Sequence, residues 1–382
     1  MKTLHKVPVH FDTYDRLRAL AAELLDGART TTPDGTVIFR PDGGGNYDGV
    51  WLRDFCYTVE GLGDLIDPSL IVPIVDLFFA AQLPDGTLPT RVMADGIADY
   101  REGSRENPLG GGPPTDNPQF MAKLLCAYSI LVNDGQALSD RLPALERAFD
   151  SLPTDRDGMV HIDANVPRSG YGFTACVSKS GRDLFSNLLL GEAVREVAET
   201  LRRFEFHDDA FGWYERSANL GDWAGQFYVP GWRMFMAARG EGKQIDLWGS
   251  AYAAVTHFAT GSQRDALAGF FIDHYDECLW HGHVRHLPAG QYWAKLLAPV
   301  EPETYQNGGY WAVATGWVAQ CIATLLPERA ATMIADSVAE FEEHGVNEWI
   351  HPENGRHVPG YVASIACLLS SVRPTSRKKL GQ

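Results

Sequence analysis

Apolar residues return with the three-to-four-residue period of an amphipathic helix in about a dozen segments of this chain. The clearest run over 13–27, 52–66, 69–82, 117–133, 138–150, 183–204, 247–260, 262–276, 309–325, 327–344 and 360–372. Asp12 or Thr13, Asp116 and Ser262 stand where helices want N-caps, and Gly135, Gly261 and Pro327 where helices stop. Strand-like runs fall only in the gaps, at 36–39, 87–92, 159–162 and 227–236. None alternates with helices as a parallel sheet requires, so they predict small hairpins. The pattern therefore predicts an all-α fold, an (α/α)6 toroid of six helical hairpins with small β-hairpins in the loops of one face.

Six connections are long and rich in Gly, Pro and aromatic residues: 40–51, 84–116, 151–182, 207–246, 280–308 and 345–359. Loops of this length in a compact domain are usually functional or the mark of a misread element. Their regular return predicts that every other connection builds one face, where a rigid ring would carry a binding cleft. No linker divides the chain, which reads as one catalytic domain over 1–372 and a polar tail over 373–382.

Composition narrows the function. At 382 residues, with 45% hydrophobic and 21% charged residues, the chain can bury one large core. Acidic residues outnumber basic ones 49 to 33, and the one basic run is Arg377-Lys378-Lys379, so a nucleic-acid partner is not expected. Six scattered cysteines, Cys56, Cys126, Cys176, Cys278, Cys321 and Cys367, sit mostly in apolar segments and read as buried thiols. The N-terminus lacks a signal-type apolar region and no apolar run is long enough for a bilayer, so no membrane partner and a cytoplasmic location are expected. The oligomeric state is open. No cofactor is called for, and His281-Gly282-His283 lacks further ligands to complete a metal site.

Four blocks carry candidate chemistry. Tyr47-Asp48-Gly49-Val50-Trp51-Leu52-Arg53-Asp54 ends a Gly-rich loop and opens a helix. It offers an aromatic face, a forked donor and a carboxylate, as a sugar ring with paired hydroxyls requires, although Arg53 and Asp54 also suit a local pair at a helix start. Pro113-Pro114-Thr115-Asp116-Asn117-Pro118 delivers Asp116 rigidly to a helix start, where capping alone also explains it. Glu301-Pro302-Glu303-Thr304-Tyr305-Gln306-Asn307-Gly308-Gly309-Tyr310-Trp311 gathers amides, aromatics and glycines suited to reading sugar, or to a turn with packed rings. Asn347-Glu348-Trp349 precedes the last helix and offers a second carboxyl group, or a solvated loop charge.

These blocks, in this order, resemble the six-hairpin glycosidases, most nearly the neutral/alkaline invertase family, with glucoamylase-like and trehalase-like enzymes further away. Trp51-Leu52-Arg53-Asp54-Phe55 resembles that family's Trp-x-Arg-Asp-Phe block, and Thr115-Asp116-Asn117 the Asp-Ser block of its general acid. Residues Thr304 to Trp311 resemble its Tyr-His-Asn-Gly-Gly-x-Trp block, and Asn347-Glu348-Trp349 the late Pro-Glu-Tyr segment of its second carboxylate. Gln306 replaces the His of that family and Asn117-Pro118 its Ser-Gly, which separates the chain from sucrose specificity. Asp246-Leu247-Trp248-Gly249-Ser250-Ala251-Tyr252 is similar to a helix-start block of several six-hairpin sugar enzymes.

The resemblance implies hydrolysis of a small di- or oligosaccharide by an inverting, two-carboxyl mechanism, with Asp116 as acid and Glu348 as base. Arg53, Asp54, Gln306 and Asn307 would then hold the sugar, with Tyr305 beside them and Trp51, Tyr310, Trp311 and Trp349 as stacking faces. Glu301 and Glu303 are rivals for a catalytic role. A phosphorylase, for which Arg91, Arg101 and His351 are available, stays open. So do an epimerase or lyase using His or Tyr as proton carrier, with His281, His283 and His286 together in one loop, and a noncatalytic carbohydrate-binding protein.

Overall fold

The structure, a computed structural model, describes residues 6–220 and 223–375. Among them are helices α1 (Phe11–Ala28), α2 (Leu52–Leu62), α3 (Ile71–Ala80), α4 (Asn117–Val132), α5 (Gln136–Ser139), α6 (Leu142–Asp150), α7 (Leu184–Arg203), α8 (His207–Leu220), α9 (Leu247–Val255), α10 (Gly261–Asp273), α11 (Tyr275–Cys278), α12 (Thr315–Ile322), α13 (Pro327–His344) and α14 (Val362–Ser371). Two of these, α5 and α11, are single turns. The other twelve pair into six hairpins.

Burial sorts the hairpins into two layers. Helix α14 buries every residue but Ser370, whereas α1 buries only the stripe Leu17, Ala21, Leu25 and Ala28. A helix apolar all round belongs inside and one with a single stripe belongs outside. Accordingly α2, α4, α7, α9, α12 and α14 form the inner layer, each touching the next, and α14 returns to α2 to close the ring. That closure is tight, because a Cβ on Gly61 of α2 would lie 2.1 Å from the Ala366 carbonyl oxygen of α14. The first and last described strands, Val7–Val9 and Val372–Pro374, pair in parallel beside the joint. Residues 376–382, which include most of the expected tail and its basic run, lie outside the described residues.

Four local expectations are corrected. The connection 207–246 contains α8, which buries only Ala210 and Trp213 and so shows no apolar stripe. Helix α12 starts at Thr315 instead of 309, because Tyr310 and Trp311 are drawn into bridges with Ile350 and Val284. Thr260, rather than Ser262, caps α10 in a capping box with Gln263, and Gly261 is its first residue rather than a stop for the helix before it.

Short hairpins occupy the connections that precede the inner helices. Gly49–Trp51 pairs with Arg91–Met93, which pairs with Ala98–Asp99. Asn347–His351 pairs with Gly355–Pro359. All six cysteines are buried and unbridged. Among the described residues, no helix is long and apolar enough to cross a membrane.

Candidate active site

Five of the six long connections enclose a cleft of about 570 Å³ at the N-terminal ends of the inner helices. Strand Gly49–Trp51 runs straight into α2, so the first turn of the helix presents Arg53 and Asp54 to the cleft floor. Both are 4% exposed. A buried guanidinium needs partners, and Arg53 has three carboxylates. Its Nε donates to Asp116 Oδ2 at 3.0 Å, Nη2 donates to Glu102 Oε1, and Nη1 lies 3.9 Å from Asp54 Oδ2. Its flat faces rest near the rings of Phe173 and Phe120, 5.3 and 5.9 Å from their centroids.

Asp116 occupies the N-cap position of α4, yet its side chain makes no capping hydrogen bond. Oδ2 instead accepts from Arg53 and from the Gly172 N–H at 2.9 Å. Oδ1 is buried without a hydrogen-bond partner among the described residues. The residue lies wholly out of solvent, immediately behind Arg53 and Gly172 of the cleft wall. Gly172 packs so closely on Arg53 that a Cβ there would fall 1.6 Å from Nη2.

Glu348 sits in strand Asn347–His351 and faces the same cleft. Tyr47 donates its hydroxyl to Oε1 at 2.6 Å. Burial pushes the Glu348 carboxyl up to about 8, against the pull of the Tyr47 hydrogen bond. Beside it, Tyr361 donates to Asp54 Oδ1 at 2.5 Å, and burial raises Asp54 to about 6 despite Arg53. Glu102 is raised by burial, with Arg53 opposing. The Tyr47 ring stands edge-on to Trp51 at 5.0 Å and tilts against Tyr361 at 6.0 Å, giving the cleft an aromatic wall.

Of the residues singled out in the sequence, Trp51, Arg53, Asp54, Arg91, Tyr305 and Glu348 line the cleft, with Tyr47 and Asp48 of the first block. Most of the others stand behind it. Gln306 is buried, accepting from the Cys176 N–H and donating to the Gly172 carbonyl, so it pins the turn that covers Asp116. Asn307 ties the Trp293 N–H to the Val300 carbonyl. Trp311 is fully buried against Phe173 and Trp248, Tyr310 tilts against His351, and Trp349 stacks on His357 at 3.8 Å. Glu303 binds Arg285, His351 and Tyr292, which braces the strand that carries Glu348, and Glu301 is exposed. His283 and His286 are buried outside the cleft, and burial pushes them down to about 4 and 3. Sequence reasoning did not single out Glu102, Tyr361, Gly172 or Phe173, and it left Tyr47 unassigned at the edge of its block.

A larger hollow, about 930 Å³, opens around Lys123 between the C-terminal halves of α2, α4 and α7. Lys123 is already paired with Glu60, Glu192 and Glu196, and none of the four sequence blocks reaches it. Residues of those blocks line the smaller cleft instead.

Sequence comparison finds no matching family and no curated protein with significant similarity. Solved structures match over nearly the whole chain. A mannosylglycerate hydrolase from Thermus thermophilus, solved with glucose, is similar at a TM-score of 0.65 and 18% identity, over 93% of this chain and 99% of that one. A glucoamylase from Saccharomycopsis fibuligera matches at 0.62 and 13%, over 96% of each. A rhamnosidase from Klebsiella oxytoca with rhamnose bound matches at 0.63 and 14%, over 96% of this chain and 65% of that one. The chain has the (α/α)6 fold of the six-hairpin glycosidases.

Proposed function

We propose that this cleft hydrolyses the glycosidic bond of a small di- or oligosaccharide, with Asp116 as proton donor and Glu348 as base. The observation that carries the reading is that Glu348 of the last hairpin lines an aromatic-walled cleft while Asp116 of the second lies directly behind Arg53 and Gly172 of its wall, both withdrawn from water. The hydrolase names of the similar structures support it at the level of fold.

Asp116 divides its two oxygens between roles. Oδ2 is fully engaged as an acceptor, which leaves Oδ1 to carry a proton to the leaving oxygen. Delivery requires the turn at 171–174 to move as substrate enters, since Gly172 covers the carboxyl group. Glu348, oriented through Oε1 by Tyr47, takes a proton from water, whose oxygen attacks the anomeric carbon as the alcohol departs. Arg53 and Asp54 hold sugar hydroxyls, and Trp51 offers the ring a face to lie on. Among the described residues no histidine lines the cleft, so a histidine-based epimerase or lyase finds no proton carrier there.

A second reading concerns the donor. Glu102 shares the Arg53 guanidinium and, unlike Asp116, lines the cleft directly. The experiment is a comparison of Asp116→Asn, Glu102→Gln and Glu348→Gln on natural disaccharides and on aryl glycosides with an activated leaving group. Loss of the donor or the base lowers kcat on disaccharides by roughly 10²–10⁴. The donor variant alone recovers on the activated substrate, which needs no proton. Wild-type turnover in both Asp116→Asn and Glu348→Gln would overturn the reading.

A further inference from the structure

Among the described residues, six carboxyl groups line the cleft, those of Asp48, Asp54, Asp99, Glu102, Glu106 and Glu348, against three arginines and no lysine or histidine. Every one of the three guanidiniums is already occupied. Arg53 is held by Asp116, Glu102 and Asp54 as described. Arg91, which lies over the Trp51 ring at 5.0 Å, donates through Nε to Asp99 Oδ2 at 3.0 Å, with Nη2 2.9 Å from the same oxygen. Arg105 reaches Asp99 from the other side, its Nε 3.1 Å from both carboxylate oxygens, and its Nη1 lies 3.3 Å from Asp95. Asp99 thus bridges both arginines of the cleft rim, and Asp95 supplies the second negative charge at Arg105.

We propose that Asp99 is a specificity-determining residue, a built-in counter-ion that bars anions from the cleft. The substrate is then an uncharged sugar, and water rather than phosphate is the acceptor. An entering carboxylate or phosphate would have to displace Asp99 from two guanidiniums. A fixed like charge is one of the means by which a site rejects a wrong partner. The geometry deepens the hydrolase reading and rests on it, and it runs against the anionic aglycone in the name of the mannosylglycerate hydrolase that shares the fold.

Asp99→Asn removes the charge from the carboxylate and leaves Arg91 and Arg105 facing the cleft. The test uses the full-length wild type and this variant on stereochemically matched pairs, glucosides with glucuronides and galactosides with galacturonides, with and without inorganic phosphate. Calorimetric titration of the corresponding free sugars and acids accompanies the kinetics. For the wild type, kcat/KM is expected to fall at least 100-fold from the neutral to the anionic member of a pair, with no phosphate dependence. In Asp99→Asn the ratio of anionic to neutral kcat/KM rises at least tenfold. Equal turnover within a pair, phosphate-dependent products, or an unchanged ratio in the variant overturns the proposal. Absence of turnover on every glycoside would instead remove the hydrolase reading. The titrations then decide the charge question alone, since anion binding as tight as neutral-sugar binding refutes it.

Discussion

Glu348 makes the sharpest demand at the scale of the residue. A base must be ionised, and burial holds this carboxyl up at about 8. The pH profile of kcat/KM reports the free enzyme. It is therefore expected to rise with pH through about 8, and steady-state kinetics across pH 5–10 checks it. Tyr47→Phe removes the hydrogen bond that favours the charged form, so the rising limb moves to higher pH in that variant. A limb that falls through the same range would make Glu348 the donor. The sequence disclosed such residues unevenly. Trp51, Arg53 and Asp54 were legible because a helix start fixes where neighbouring side chains point. The block from Gln306 to Trp311 has the same sugar-reading composition, yet it serves as the wall's backing, because composition does not say which side of a loop faces the cavity. Glu102 gave no signal at all, being one acid in an aperiodic, glycine-rich connection.

Elements were easier to read, since a core-facing helix writes its period into the chain. Where burial is sparse, as along α8, the writing fades, and where bridges compete for the backbone, as at Tyr310 and Trp311, the helix starts late. The inner helices α2 and α14 meet closely at Gly61 and Ala366. Alanine at 61 gains roughly 0.8–1.0 kcal/mol of helix propensity. Overpacking against a backbone carbonyl costs roughly 1–3 kcal/mol and has no flexible side chain to absorb it. Gly61→Ala is therefore expected to destabilise the fold, with the loss read by chemical denaturation. A variant as stable as the wild type would mean that α2 and α14 can slide apart without penalty.

For the whole molecule, the count of periodic segments carried the architecture, because six hairpins that each expose an apolar face have few ways to bury it other than a ring. How the ring's loops fold over one end was legible only as their length. Ring closure joins distant parts of the chain, since Tyr47 and Glu348 are 301 positions apart and meet only when α14 has docked on α2. Contacts of such separation form late in folding. The proposed donor, with its Arg53 clamp, belongs to the first two hairpins, while the proposed base arrives with the sixth. A chain halted before its last hairpin would hold the proposed donor and lack the proposed base.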